Sequence, residues 1–203
     1  MKEKDLMLNG YLYKVFDDEI NQMFKIRCKF LEEFNNTSYD DFKSRENLVK
    51  KYFKSVGNNI NINKPFYCDY GSNITIGDNF YANFDCIFLD VCSITIKDNV
   101  MLGPRVSIFT AAHPIDKDVR NEQLEFGKPV VIGNNVWIGG NTVINPGVTI
   151  GDDTVIGSGS VVTKDIPSGV VACGNPCRVI REISLKDKEY WQSKKEEYIL
   201  NKK

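Results

Sequence analysis

The stretch Val131–Asp165 reads VIGNNVWIGGNTVINPGVTIGDDTVIGSGSVVTKD, and within it Ile132, Ile138, Ile144, Ile150, Ile156 and Val162 recur at an unbroken interval of six. The residues that follow them are Gly133, Gly139, Asn145, Gly151, Gly157 and Thr163. A period of six does not fit the 3.6 of an α-helix. It is compatible with the two-residue alternation of a strand, yet no simple sandwich calls for a small residue at every sixth place. A solenoid of short parallel strands does: each aliphatic side chain points inward onto the coil below, and the Gly or Asn after it is expected to accept the positive φ of a tight corner. Thr163 is the weak corner of this reading.

Working N-terminally, the same register runs through Tyr70-Gly71, Ile76-Gly77, Ala82-Asn83 and Phe88, then resumes two residues late at Ile96, Leu102-Gly103 and Ile108. The slip falls within Leu89–Ser93. From Ile108 to Ile132 the phase is kept, but Thr110–Lys128 carries Pro114, charges and no inward aliphatics, so it reads as a loop thrown out from the coil. Long loops in a compact repeat usually serve function, and this one carries the only histidine of the chain, His113.

Before the repeat, Ile20, Met23, Phe24, Phe30, Leu31 and Phe34 fall at helical spacing behind Asp17 or Asp18 as N-cap. A second helix is expected from near Ser38, whose spacing to Asp41 suits capping, with Val49, Tyr52, Phe53 and Val56 on one face and Gly57 as its stop. The chain therefore divides into a helical cap (1–60), a mainly β hexapeptide-repeat solenoid (61–183) with an extruded loop (110–128), and a charged tail (184–203). The tail reads as a terminal helix whose Tyr190 and Trp191 pack on a neighbour or serve in binding.

Composition narrows the classes of function. Twenty-six Lys and Arg against 27 Asp and Glu give a net charge of -1, so neither a nucleic-acid-binding field nor an acidic tail is indicated. The mixed charges of Met1–Asp5 and the lack of a long apolar run speak against a signal peptide or membrane span, and the expected location is cytoplasmic. Six cysteines, with no C-x-x-C pair, read as small buried or surface thiols. With one histidine the chain cannot build a three-histidine zinc site, and no metal is expected.

Several segments carry a resemblance. Phe66–Gly71 (FYCDYG), Asn79–Cys86 (NFYANFDC), Thr110–Asp116 (TAAHPID), Ile132–Gly139 with Trp137, Asn145–Gly147 (NPG), Val162–Asp165 (VTKD) and Gly174–Pro176 (GNP) are similar to the maltose and galactoside O-acetyltransferases of the hexapeptide-repeat acyltransferases, over about residues 10–183. The resemblance implies a left-handed parallel β-helix of three repeats per coil, a homotrimer with active sites between subunits, and transfer of acetyl from acetyl-CoA to a hydroxyl of a small sugar. It implies His113 as general base, with Asn83 beside the reacting centre as a second catalytic residue. Neutral imidazole is abundant near neutral pH, which suits it to take a hydroxyl proton.

Glu125, in the same loop, either orients the imidazole or is a solvated loop charge. Coenzyme A is expected along Trp137, Gly140, Ser158, Thr163, Lys164, Arg178 and Arg181: a backbone N–H near Gly140 for the oxyanion, Lys164 and the two arginines for phosphates. Trp137 walls the acetyl and pantetheine path or packs between subunits. Asp69, Tyr81, Asn83 and Asp90 are the expected acceptor contacts. Asp69, the single aspartate Asp90 followed by Val91, and Val15 at the N-terminal acceptor position match the maltose branch better than the galactoside one, pointing to maltose or glucose. An acetyltransferase for another hydroxyl acceptor, whether a galactoside, an antibiotic or a nodulation-type oligosaccharide, or a non-catalytic scaffold, are the alternatives.

Overall fold

Helix α1 (Glu3–Leu8) ends where Gly10, at φ 76°, turns the chain and Tyr11 N–H reaches back to the Leu6 carbonyl. Helix α2 (Asp18–Asn35) starts at Asp17, whose carboxylate accepts from the N–H groups of Glu19 and Ile20. It buries Ile20, Phe30 and Phe34, whereas Phe24 is half exposed with the Arg27 guanidinium over its ring. Helix α3 (Phe42–Tyr52) is capped by Asp41 accepting from Ser44 N–H; Ser38 is not its cap but donates to Asp40. The computed structural model describes residues 1–202.

The helix ends at Tyr52, before Gly57, and the first coil begins at Ser55–Val56, ahead of the boundary expected at residue 61. Three parallel sheets then form the walls of a prism. Sheet one stacks Ser55–Val56, Ile74–Ile76, Ile94–Ile96, Val130–Ile132 and Thr149–Ile150. Sheet two stacks Asn61–Ile62, Tyr81–Ala82, Met101–Leu102, Trp137–Ile138, Val155–Ile156 and Val170–Cys173, closed by the antiparallel Arg178–Glu182. Sheet three stacks Phe66–Cys68, Cys86–Leu89, Ser107–Phe109, Val143–Ile144 and Val161–Val162. The key positions Ile76, Ala82, Phe88, Ile96, Leu102, Ile108, Ile132, Ile138, Ile144, Ile150, Ile156 and Val162 are all buried inside. At roughly 25 cal/mol per Å² of apolar surface, these stacked side chains are the main favourable term holding the coils together.

Two features depart from the register read off the sequence. Tyr70 does not stack inside the prism: Cys68 is the residue paired with Phe88, so the two-residue slip at Leu89–Ser93 also occurs one coil earlier, at Asp69–Asn73. The N–H groups of this extra length turn to the Asp90 carboxylate, which accepts from Tyr70 (2.8 Å) and Asn73 (3.2 Å) and shares the Asp69 N–H (3.1 Å) with the Phe88 carbonyl (3.2 Å).

Gly71 alone of the glycines in that register supplies positive φ, at 77°; those that follow the aliphatic residues do not. The left-handed residues sit two places later, at Asn135, Asn141, Gly147, Asp153 and Gly159. Gly139 is small because coils touch there: a Cβ on it would stand 2.5 Å from Ser158 N. The corner residues Asn59, Asn79, Asn99 and Asn135 also form a ladder, each amide donating to the side-chain oxygen of the next, ending on Asp153.

The cap closes the first coil. Phe30, Phe34 and Phe53 interlock with Phe66 and Phe88 of sheet three at ring separations from 5.1 to 6.0 Å. Arg45, 2 % exposed, ties α3 to the coil and the helix connection by donating to the carbonyls of Ile62, Ser38 and Tyr39. Residues 110–128 are not bare loop. Ala111–Ala112 and Leu124–Gly127 form an antiparallel hairpin around helix α4 (Lys117–Asn121), and Tyr13–Lys14 adds a third strand to it. At the far end α5 (Leu185–Asn201) leaves Tyr190 and Trp191 exposed, stacked edge-on against each other.

Candidate active site

The extruded hairpin leaves the prism at the corner between sheets three and one, because Phe109 ends a strand of sheet three and Val130 opens one of sheet one. In it Ala111 pairs with Gly127 and Ala112 with Phe126, so extending the register by one residue sets His113 opposite Glu125. On the other side Glu125 is the direct partner of Tyr13. Antiparallel partners present their side chains on one face, and the three form a row across the sheet. Tyr13 hydroxyl donates to Glu125 Oε2 at 3.0 Å, and Glu125 Oε1 lies 3.9 Å from His113 Nε2. His113 is exposed at the mouth of a cleft of about 230 Å³ lined by Arg120, Asn121, Gln123 and Glu125. Arg120 fastens the segment just past the histidine, donating to the carbonyls of Pro114 and Ile115.

Behind this row lies a second small core of Met7, Tyr13, Ile20, Tyr70 and Val91. Asp69 sits half-buried at its edge; burial pushes its carboxyl up to about 6, with Glu125 adding to the rise and Arg27 opposing it. Burial also drives the Tyr13 phenol far above its ordinary range, with the Glu125 carboxylate next in effect, so it remains a donor. Asp90 is fully buried and pushed up to about 7 by desolvation, against the pull of its backbone donors. With its carboxylate engaged by three N–H groups of the preceding coil, its place is that of a structural cap. The Tyr81 hydroxyl accepts from Asn63.

Asn83, Gly140 and Ser158 occupy a different corner, between sheets two and three, where Gly159 N–H donates to the Gly140 carbonyl. A whole sheet face separates that corner from the hairpin corner, so one chain does not bring Asn83 beside His113. Trp137 lies half-exposed on sheet two next to Met101. Lys164 and Arg178 meet in a cleft of about 300 Å³ at the last coil, with Asp165, Ile166, Cys177 and Val179. Thr163 is exposed beside Lys164. Arg181 makes a bidentate pair with Asp187, at 2.8 Å to each oxygen, and pulls that carboxyl well below its usual range. Tyr13, Arg27 and Arg120 were not legible as site residues; their proximity arises from contacts that no local motif encodes. Among the described residues no three His, Cys, Asp or Glu side chains gather as a metal site would require, and no helix is long and apolar enough to cross a membrane.

A three-walled prism of hexapeptide coils with one histidine on an extruded hairpin defines a hexapeptide-repeat transferase. The family described as bacterial transferase hexapeptide (six repeats) matches residues 129–164, and the maltose acetyltransferase hexapeptide capping motif matches residues 6–57. The galactoside O-acetyltransferase of Escherichia coli K12 is 52% identical over 88% of this chain and 89% of its own length. A maltose O-acetyltransferase from Clostridium difficile 630 superposes with a TM-score of 0.89 at 54% identity, covering 91% of this chain and 98% of that one. A galactoside acetyltransferase solved in complex with coenzyme A gives the same TM-score at 45% identity, over 93% and 94% of the two chains. The chain belongs to the maltose and galactoside O-acetyltransferase family of left-handed β-helix acyltransferases, and it is an acyltransferase.

Proposed function

We propose that this enzyme transfers acetyl from acetyl-CoA to a hydroxyl of a small sugar of the maltose or glucose type, with His113 as general base. The observation that carries the reading is the row Tyr13, Glu125, His113: a buried donor fixes a carboxylate, and the carboxylate faces an exposed imidazole across 3.9 Å. The ring nitrogen facing Glu125 carries the hydrogen, and the opposite nitrogen, Nδ1, holds the lone pair. Nδ1 takes the proton of the acceptor hydroxyl as that oxygen attacks the thioester carbon. The tetrahedral intermediate collapses with loss of coenzyme A as thiolate, which recovers the proton from the imidazolium. Glu125 stabilises the transient cation, and the longer separation closes when substrates are bound.

Lys164 and Arg178 are suited to the coenzyme A phosphates, and Trp137, Gly140, Ser158 and Thr163 to its pantetheine arm. Arg181, held by Asp187, contributes less than either. Because Asn83 and Gly140 stand at a corner remote from the hairpin, a complete site needs the hairpin of one copy against the corner of the next. A closed threefold ring supplies this three times over, and a cytoplasmic homotrimer is the assembly we propose. Asp69 is the acceptor contact; Asp90 supports it from behind.

The test is His113→Ala assayed by acetyl-CoA consumption against maltose, glucose and a galactoside. Loss of a general base lowers kcat by about 10²–10⁴. Full turnover in the variant would sink the mechanism, and turnover of the galactoside alone would move the acceptor to that branch.

A further inference from the structure

The N-terminal segment does more than cover the end of the solenoid. Its strand Tyr13–Lys14 is the outer strand of the hairpin sheet, and Tyr13 is the residue in register with Glu125. Tyr13 is 1 % exposed, fixed among Met7, Ile20, Tyr70 and Val91, while its hydroxyl emerges onto Glu125 Oε2. A carboxylate on a surface hairpin has several rotamers of similar energy. A hydrogen bond from a phenol immobilised in a core favours the one observed, in which the second oxygen faces His113.

We infer that Tyr13 is a positioning residue of the acetyl transfer: through its hydrogen bond to Glu125, the N-terminal cap sets the orientation of the His113 imidazole. The inference rests on the reading of His113 as general base. It also gives the cap a role in catalysis, because Gly10, φ 76°, brings the segment to the hairpin at a point where a Cβ would stand 3.0 Å from the Gly127 carbonyl.

The test uses the full-length enzyme with Tyr13→Phe, Glu125→Gln and the double variant, measuring kcat and KM for acetyl-CoA and sugar. A second readout needs no substrate: His113 is the single histidine, so the ¹⁵N shifts of one imidazole report its tautomer directly. Tyr13→Phe is expected to lower kcat about tenfold with both KM values within about twofold, since an interaction that acts on the base leaves ground-state binding untouched. The imidazole shifts should move from a single tautomer towards a mixture. The double variant should match Glu125→Gln within about twofold, because residues acting in series are not additive.

Unchanged kcat and unchanged imidazole shifts in Tyr13→Phe overturn the inference, as do additive losses in the double variant. Should Tyr13→Phe fail to fold, Glu125→Gln decides: kcat within about twofold of wild type removes the link through which Tyr13 would act. His113→Ala separates the two failures. If it retains full activity the general-base reading falls; if it is inactive while Tyr13→Phe is normal, only the role of Tyr13 falls.

Discussion

Gly139→Ala tests the packing argument for the hexapeptide glycines. The added Cβ would stand 2.5 Å from Ser158 N and 2.8 Å from its Cα. Ordinary heavy-atom contact begins near about 3.5 Å, so adjacent coils must part by roughly 1 Å at this corner. That displacement stretches the Gly139 N–H to Ile156 carbonyl bond, now 2.8 Å, and the Gly159 N–H to Gly140 carbonyl bond, now 2.9 Å, past useful length. Two weakened backbone bonds at about 1 kcal/mol each, with an overpacking cost of about 1–3 kcal/mol, give a loss of about 3–5 kcal/mol.

The control is Gly159→Ala: φ is 72° there but nothing lies within 4 Å of the added Cβ, so left-handed strain alone applies, at about 1–2 kcal/mol. Urea unfolding followed by far-UV circular dichroism, at equal protein concentration, measures both. With a slope of about 2–3 kcal/mol/M for a chain of this size, the Gly139→Ala midpoint should fall by about 1–2.5 M and the control by less than about 1 M. If Gly139→Ala is as stable as Gly159→Ala, close approach of the coils is not the reason for glycine at this place in the repeat.

Asp69, whose carboxyl is pushed up to about 6, is ionised above that pH and protonated below it, so the KM for the sugar should rise as pH falls through about 6. Asp69→Asn should abolish that dependence; a wild-type KM that is flat from pH 5 to 8 would remove Asp69 from the acceptor site. Lys164→Ala and Arg178→Ala should each raise the KM for acetyl-CoA by about tenfold, the loss of one charge-assisted contact, with kcat nearly unchanged. Arg181→Ala should do less, because that guanidinium already forks onto Asp187. Unaltered KM in both Lys164 and Arg178 variants would place the phosphates elsewhere.

The solenoid was legible because a core stacked at a fixed interval leaves a periodic aliphatic signature. Ile132 through Val162 are buried where that period sets them. The first coils were harder to read. Tyr70 happens to fall six residues before Ile76, although the core position is Cys68, and the extra residues are absorbed by a carboxylate twenty positions away in the next coil. The corner geometry misled in a similar way: glycine signals both positive φ and close approach, and a sequence does not distinguish them. The helical cap followed its spacing at Ile20, Phe30 and Phe34, but Phe24 faces outward, with the Arg27 guanidinium over its ring.

By itself the sequence determined the six-residue coil, the extruded segment with its lone histidine, and the family, since each is written in local spacing or in contiguous motifs. It takes the folded chain to show that Tyr13 donates to Glu125, that Asp90 is engaged by backbone N–H groups, and that Asn83 and His113 lie at different corners. Periodicity records what each residue does relative to its neighbours in the chain. Pairing across 112 positions, as between Tyr13 and Glu125, depends on where the folded walls bring distant segments together, and no short-range pattern encodes it.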